Sequence, residues 1–336
     1  MRQDHSQPTG AIHTHFIDSQ AVANNILGDP TRRRVDVYVP AGHDGKDLPL
    51  LVDIVGFTGG GPGHTNWKNF GENVPERADR LIAEGKMAPC VIAFPDCFTR
   101  LGGNQYVNSS AMGNWADFLT RELTAFVEGE YGCGGFGKRG IFGKSSGGYG
   151  ALVHAQLYPD VWSAAASHSG DVGFELMFFP DFPNTLRRLE KHGGSIESFI
   201  AAFEKAPKVN GDDLHALMCL AMAATYDPDP TQFLGIRLPF TMDTCEIIPE
   251  RWAEWMKWDP LEMLEDNAER MKSLKGFYID CGDVDQYNLL YGARRMSRRL
   301  NELGVAHVYE EFPDNHSSVD YRMDVSLPYL AGVLSD

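Results

Sequence analysis

The sequence predicts an α/β fold, a mostly parallel twisted sheet with helices on both faces and a helix-rich cap inserted between core strands. Short β-branched or apolar runs alternate with segments of helical period, the order that right-handed crossovers build into a parallel sheet. Runs such as "LPLLVDIVG" (48–56) are nearly continuous in apolar residues, as in strands buried on both faces. The alternation breaks at Asp171 and resumes at "KGFYIDCG" (275–282), which reads as an insertion, 171–274, within one domain spanning 1–336. A chain of 336 residues, 43% hydrophobic, is long enough for such a core.

The elements follow in order. "RRVDVYVP" (33–40) and 48–56 are strands closed by Pro and Gly. "VPERADRLIAEG" (74–85) is a helix leading to the buried strand "APCVIAFPD" (88–96). In "NWADFLTRELTAFVEGEYG" (114–132), Phe118, Leu119, Leu123, Phe126 and Val127 take amphipathic spacing, and Gly132 ends the helix. The strand "RGIFG" (139–143), a helix over 146–157 and the strand "WSAAASHSG" (162–170) come next. The cap holds helices in "TLRRLEKHG", "SIESFIAAFEKA" and "DDLHALMCLAMAA", and the bend "DPDPTQFLGIRLPF". A helix over 289–303, the strand "AHVYEEF" (306–312) and a last helix close the domain.

A formal net charge of −16 repels nucleic acid and anionic lipid. The start "MRQDHSQPTGAIHTH" has no signal-peptide core, and no window approaches the ~18 apolar residues of a membrane span, so a cytoplasmic location is expected. Cys90, Cys97, Cys133, Cys219, Cys245 and Cys281 lack CxxC spacing and read as buried free thiols. His13 and His15 form an H-x-H without a third ligand; no metal and no cofactor are expected.

The segment "RGIFGKSSGGYGALVHA" (139–155) carries the chemistry. As a phosphate loop it fails, because Lys138 stands where G-x-x-x-x-G-K-[ST] needs its first glycine. As G-x-S-x-G between a strand and a helix it fits, with Ser145 as a nucleophile on a strained corner and Lys144 an ordinary corner residue. An acid and then a histidine should follow. Past the strand at 275–282, Asp285 is preferred and Asp283 is second; past the last strand, His316 is a better base than His307, which opens that strand. Oxyanion donors are expected from the Ser146 N–H and, in "VGFTGGGPGHTNW" (55–67), from the Phe57 N–H, with Thr58 a near alternative.

Candidate pocket residues are His168 at a strand end, Phe178 in "FELMFFPDF" and Trp255 in the stripe Trp252, Trp255, Trp258, although such a stripe more often packs the cap onto the body.

The runs "GNQYVNSSAMGNWADFLTRELTAFVEGEYG", "GIFGKSSGGYGAL", "ASHSGD", "YIDCGDVDQYNL" and "EEFPDNHSSVDYR" resemble the esterase family of α/β-hydrolases. That family includes esterase D (S-formylglutathione hydrolase), enterochelin esterases, feruloyl esterases and mycolyltransferases. The resemblance implies the α/β-hydrolase fold, with Ser145 as nucleophile, Asp285 as acid and His316 as base. It implies a small-molecule ester or thioester as substrate; the long cap and the start of the chain fit poorly with a glutathione thioester or an exported enzyme. An acyltransferase with the same triad, and a non-catalytic binding protein on the same scaffold, are the rival readings. A homodimer is compatible with the sequence.

Overall fold

The computed structural model describes residues 6–335. Its strands are β1 (Ala11–Asp18), β2 (Arg32–Val39), β3 (Leu50–Ile54), β4 (Val91–Pro95), β5 (Asn108–Ser109), β6 (Gly113–Asn114), β7 (Arg139–Lys144), β8 (Ala164–His168), β9 (Gly276–Gly282) and β10 (Val308–Phe312). Eight form one sheet in the order β1-β2-β4-β3-β7-β8-β9-β10, while β5 and β6 pair as a separate hairpin. Every pairing from β4 to β10 is parallel; β1 and β2 are antiparallel additions.

Apart from the partly buried ends of β7, the central strands are buried, so successive side chains enter two different cores. Leu50, Val52 and Ile141 face the core that holds the helix Ser146–Leu157 and the inserted helices. Leu51, Phe142 and Tyr278 face the smaller core under the helices Val74–Ala83 and Met323–Ser335.

Two elements differ from the sequence reading. The polar start contains β1, which pairs along its whole length with β2, from Ala11 opposite Val39 to Asp18 opposite Arg32. It is an edge strand, mostly exposed, and therefore lacks the burial pattern that marks a strand. His13 Nδ1 and His15 Nε2 both lie at the Tyr131 hydroxyl, 3.0 and 2.6 Å away. The segment read as one helix over 114–132 is interrupted by a π-helical stretch, Phe118–Leu123, before Thr124–Tyr131 resumes the α form. Gly132 caps it in the left-handed conformation, φ 65°, as its position predicts.

Between β8 and β9 lie the helices Phe174–Phe178, Asp181–Glu190, Ile196–Lys205, Gly211–Tyr226, Pro249–Met256 and Leu264–Met271. The last packs on Ser146–Leu157, and this whole region shares one apolar core with the sheet.

The helix Ser146–Leu157 approaches β3 more closely than a side chain permits. A Cβ on Gly143 would stand 2.1 Å from the Ile54 carbonyl oxygen, and one on Gly147 would stand 1.9 Å from it. Gly147→Ala should therefore cost about 3 kcal/mol or more. Gly129 has open space around it inside a helix, so Gly129→Ala should gain about 0.5–1 kcal/mol. Urea unfolding of both variants checks the pair; equal effects would contradict the close approach.

Candidate active site

Ser145 joins β7 to the helix Ser146–Leu157 with φ 57° and ψ −124°, a conformation costing a non-glycine residue about 1–3 kcal/mol. Two hydrogen bonds hold it there. Its N–H donates to the His168 carbonyl at 3.0 Å, and its own carbonyl accepts from the Tyr149 N–H at 2.8 Å. Ser146 is the first helical residue, so its N–H has no acceptor within the helix.

A polar scaffold surrounds this corner. Gln105 Nε2 donates to Ser146 Oγ at 2.9 Å, and the Tyr106 hydroxyl donates to the Val55 carbonyl at 2.5 Å, next to the loop of Phe57. His154 Nδ1 accepts from Trp162 Nε1 at 2.9 Å, which leaves Nε2–H to donate to the Tyr106 carbonyl at 2.8 Å. Burial pushes the His154 pKa down to about 4, keeping the ring neutral as both bonds require. A Cβ on Gly103 would meet the Phe57 Cα and carbonyl oxygen at 2.3 Å, so this glycine lets the two loops touch.

Beyond β9 the chain turns, and the buried Asp285 presents Oδ2 to His316 Nδ1 at 2.8 Å. The other oxygen, Oδ1, accepts the Tyr287 N–H at 2.9 Å, so the carboxylate is held from two directions. The His316 N–H donates to Gln286 Oε1 at 3.0 Å, and the Tyr287 ring stands edge-on to the imidazole with centroids 4.8 Å apart. Asp283 is exposed, and His307 bonds Ser297 Oγ and the Val305 carbonyl.

Ser145 and His316 line one cavity of about 340 Å³, together with Phe57 and Thr58. Its apolar lining includes Met177, Leu214 and Met218 from the inserted helices, with Tyr287 and Leu289. The polar lining includes His64, Lys144, Ser317, Ser318 and Asp320. His64 Nδ1 lies 2.7 Å from Asp53 Oδ2; burial would lower the His64 pKa, but the buried carboxylate overrides it and the pKa rises. Lys68 Nζ lies 2.6 Å from Asp320 Oδ2 and, against the opposing effect of burial, holds that carboxyl below its usual range.

Three expected pocket residues lie elsewhere. His168 is buried beneath the corner, with Nδ1 at Asp280 Oδ1 (2.7 Å) and Nε2 at Ser326 Oγ (2.8 Å), where its ring joins strand to final helix. Asp280 also accepts from Arg322 and Tyr278; burial would raise its pKa, but His168 and Arg322 hold it low. Phe178 and Trp255 pack edge-on with centroids 5.3 Å apart, in an aromatic cluster with Phe174, Phe182 and Tyr226. A helix turns about 100° per residue, so Met177 reaches the cavity and Phe178 the core.

Sequence reasoning missed Gln105, His64, Asp53 and Asp171, and treated Lys144 as an ordinary corner residue. Asp53 left a signal, a carboxylate inside an otherwise apolar strand. Gln105 and Asp171 left none beyond the runs that carry the family resemblance. Among the described residues no group of three His, Cys, Asp or Glu side chains is placed to hold a metal ion. No helix of the described residues is long and apolar enough to cross a membrane.

The family model described as "Putative esterase" matches residues 29–326. No curated protein matches the sequence. Among solved structures, a ferulic acid esterase aligns at 18% identity and a TM-score of 0.62, over 97% of this chain and 99% of its own. S-Formylglutathione hydrolases from Agrobacterium tumefaciens (16% identity, TM-score 0.59, 98% and 99% covered) and Staphylococcus aureus (13%, 0.59, 97% and 99%) align similarly. The likeness extends over the whole α/β-hydrolase fold, inserted helices included.

Asp171 lines the cavity, yet it is fully buried, and its Oδ1 has no hydrogen-bond partner among the described residues. Burial raises its pKa to about 7, with Gln105 opposing the rise and Asp285 adding to it. An unfolded chain ionises this group near 3.8, so the folded protein binds the extra proton between the two values and loses stability as pH rises through that window. Asp171→Asn removes this dependence. Its stability relative to the parent should improve by about 2–3 kcal/mol between pH 5 and pH 8 in denaturant titrations; a constant difference would contradict the raised pKa.

Proposed function

Because the chain belongs to the esterase family and is a carboxylic ester hydrolase, we propose that it works through an acyl-enzyme on Ser145, with His316 as base and Asp285 as the acid that orients it. One observation carries this reading: the strained Ser145 and the Asp285-bound His316 border the same cavity. With Asp285 on Nδ1, His316 keeps Nε2 free to take the Ser145 hydroxyl proton as Oγ attacks the acyl carbon. The tetrahedral oxyanion would be met by the N–H groups of Phe57 and Ser146, one such donor being worth ~2.7–4 kcal/mol. Collapse expels the alcohol or thiol, protonated by the imidazolium, and water repeats the sequence to release the acid.

The scaffold around the corner supports the same reading. Electrostatic stabilisation depends on donors that need no reorganisation, and Gln105 on Ser146, Gly103 against Phe57 and Tyr106 on Val55 restrain both arms of the oxyanion site.

A fluorophosphonate probe should label Ser145, and Ser145→Ala should lose both the label and p-nitrophenyl ester hydrolysis. Asp285→Asn should lower kcat by about 10⁴, as when a triad histidine loses its orienting carboxylate. The exposed Asp283→Asn should stay within about twofold of the parent. Peptide mapping of the label and steady-state kinetics check these; equal losses at Asp283 and Asp285 would reverse the choice of acid.

A further inference from the structure

We propose that the polar lining of the cavity holds a carboxylate-binding subsite centred on Lys144, so that the ester attacked by Ser145 carries a carboxylate; this rests on the serine-hydrolase reading above. Lys144 lines the cavity directly beside the nucleophile in the chain. Its side chain makes no hydrogen bond or ion pair with the described residues, whereas three of the carboxylates near it each hold a basic partner. Asp320 is held by Lys68, Asp53 by His64 and Asp285 by His316. Lys144 is therefore a partly buried ammonium lining the substrate space without a contact partner. Burial lowers its pKa, even with the more distant Asp320 and Asp285 opposing.

The charges near the cavity set the size of the ligand's charge. Lys68 is paired with Asp320 and His64 with Asp53, which leaves Lys144, of these basic groups, without a carboxylate partner, while the buried Asp171 on the same cavity, its pKa raised to about 7, stays protonated below that pH. A single carboxylate balances Lys144, whereas a phosphate dianion would leave excess negative charge beside Asp320. Ser317 and Ser318 in the same lining offer neutral hydroxyl donors. The apolar lining residues Met177, Leu214, Met218 and Leu289 suit the uncharged part of the ester. Because the protein carries a formal net charge of −16, a carboxylate gains nothing from the overall field, and its binding must come from this local cation.

The carboxylate can belong to the acyl half or to the alcohol half, and two ester pairs separate them. p-Nitrophenyl hemiadipate is compared with p-nitrophenyl hexanoate for the acyl half, and 4-carboxyphenyl butyrate with phenyl butyrate for the alcohol half. In the full chain, kcat/KM for the charged member of at least one pair should exceed its neutral counterpart by about ten- to a hundredfold, the worth of a hydrogen bond to a charged group. Lys144→Met should reduce that ratio by about tenfold or more, chiefly through KM, and Lys144→Arg should retain most of it.

Should the Met variant fail to fold, the parent protein still decides through its own ratios and through competition by monomethyl succinate against hexanoate ester turnover. Ratios at or below one in both pairs, or a ratio that Lys144→Met leaves unchanged, would overturn the subsite. Fluorophosphonate labelling of the parent is run alongside. Labelled Ser145 with flat ratios removes the subsite and leaves the hydrolase mechanism standing; absence of both label and turnover removes both.

Discussion

The architecture depends on the contact between the Ile54 carbonyl at the end of β3 and the helix that begins at Ser146. Only glycine at 143 and 147 permits it, because a Cβ at either position would stand well inside van der Waals contact distance of the carbonyl oxygen. Close packing pins the helix start against the sheet edge and forces the intervening Ser145 into positive φ. The strain is local, while the hydrogen bonds and packing that offset it extend through β7, β8 and the helix. The same approach brings the loop that follows β3 against Ser145, whose Cβ would stand 3.4 Å from a Cβ on Gly56.

Around this corner, among the described residues, three buried carboxylates each meet a histidine: Asp53 with the half-buried His64, Asp280 with His168 and Asp285 with His316. Each histidine lets a carboxylate remain inside the fold by giving it a hydrogen-bonding partner. Their surroundings divide the labour. His168 has both ring nitrogens engaged and ties β8 to β9 and the final helix, so it has no nitrogen left for substrate. His64 and His316 each use Nδ1 on their carboxylate and border the cavity. The order of residues along the chain cannot distinguish such pairs; occupancy of the second nitrogen does.

Much of the core was legible because burial leaves a strong imprint. Continuous apolar runs marked β3, β4 and β9, and Gly132 marked the end of its helix. β1 was hidden because an exposed edge strand has no apolar face to display, and the π-helical stretch at Phe118–Leu123 because apolar spacing does not report which carbonyl each N–H finds. At the candidate site, Ser145, Asp285 and His316 were readable from their places after strands. Gln105 and Asp171 were not, since each acts through neighbours more than forty residues away.

The sequence by itself determined the alternation of strand and helix, the glycine-flanked serine and the order of acid and histidine after it. These are local properties, set by side-chain period and by backbone conformations that only glycine tolerates easily. Tertiary structure alone decided which carboxylate at the β9 turn meets His316, that His168, Phe178 and Trp255 serve the core, and that Lys144 faces the cavity. Those outcomes depend on the direction in which a side chain leaves its element and on the element packed opposite, and both are fixed only when the sheet, the inserted helices and the turns close on one another.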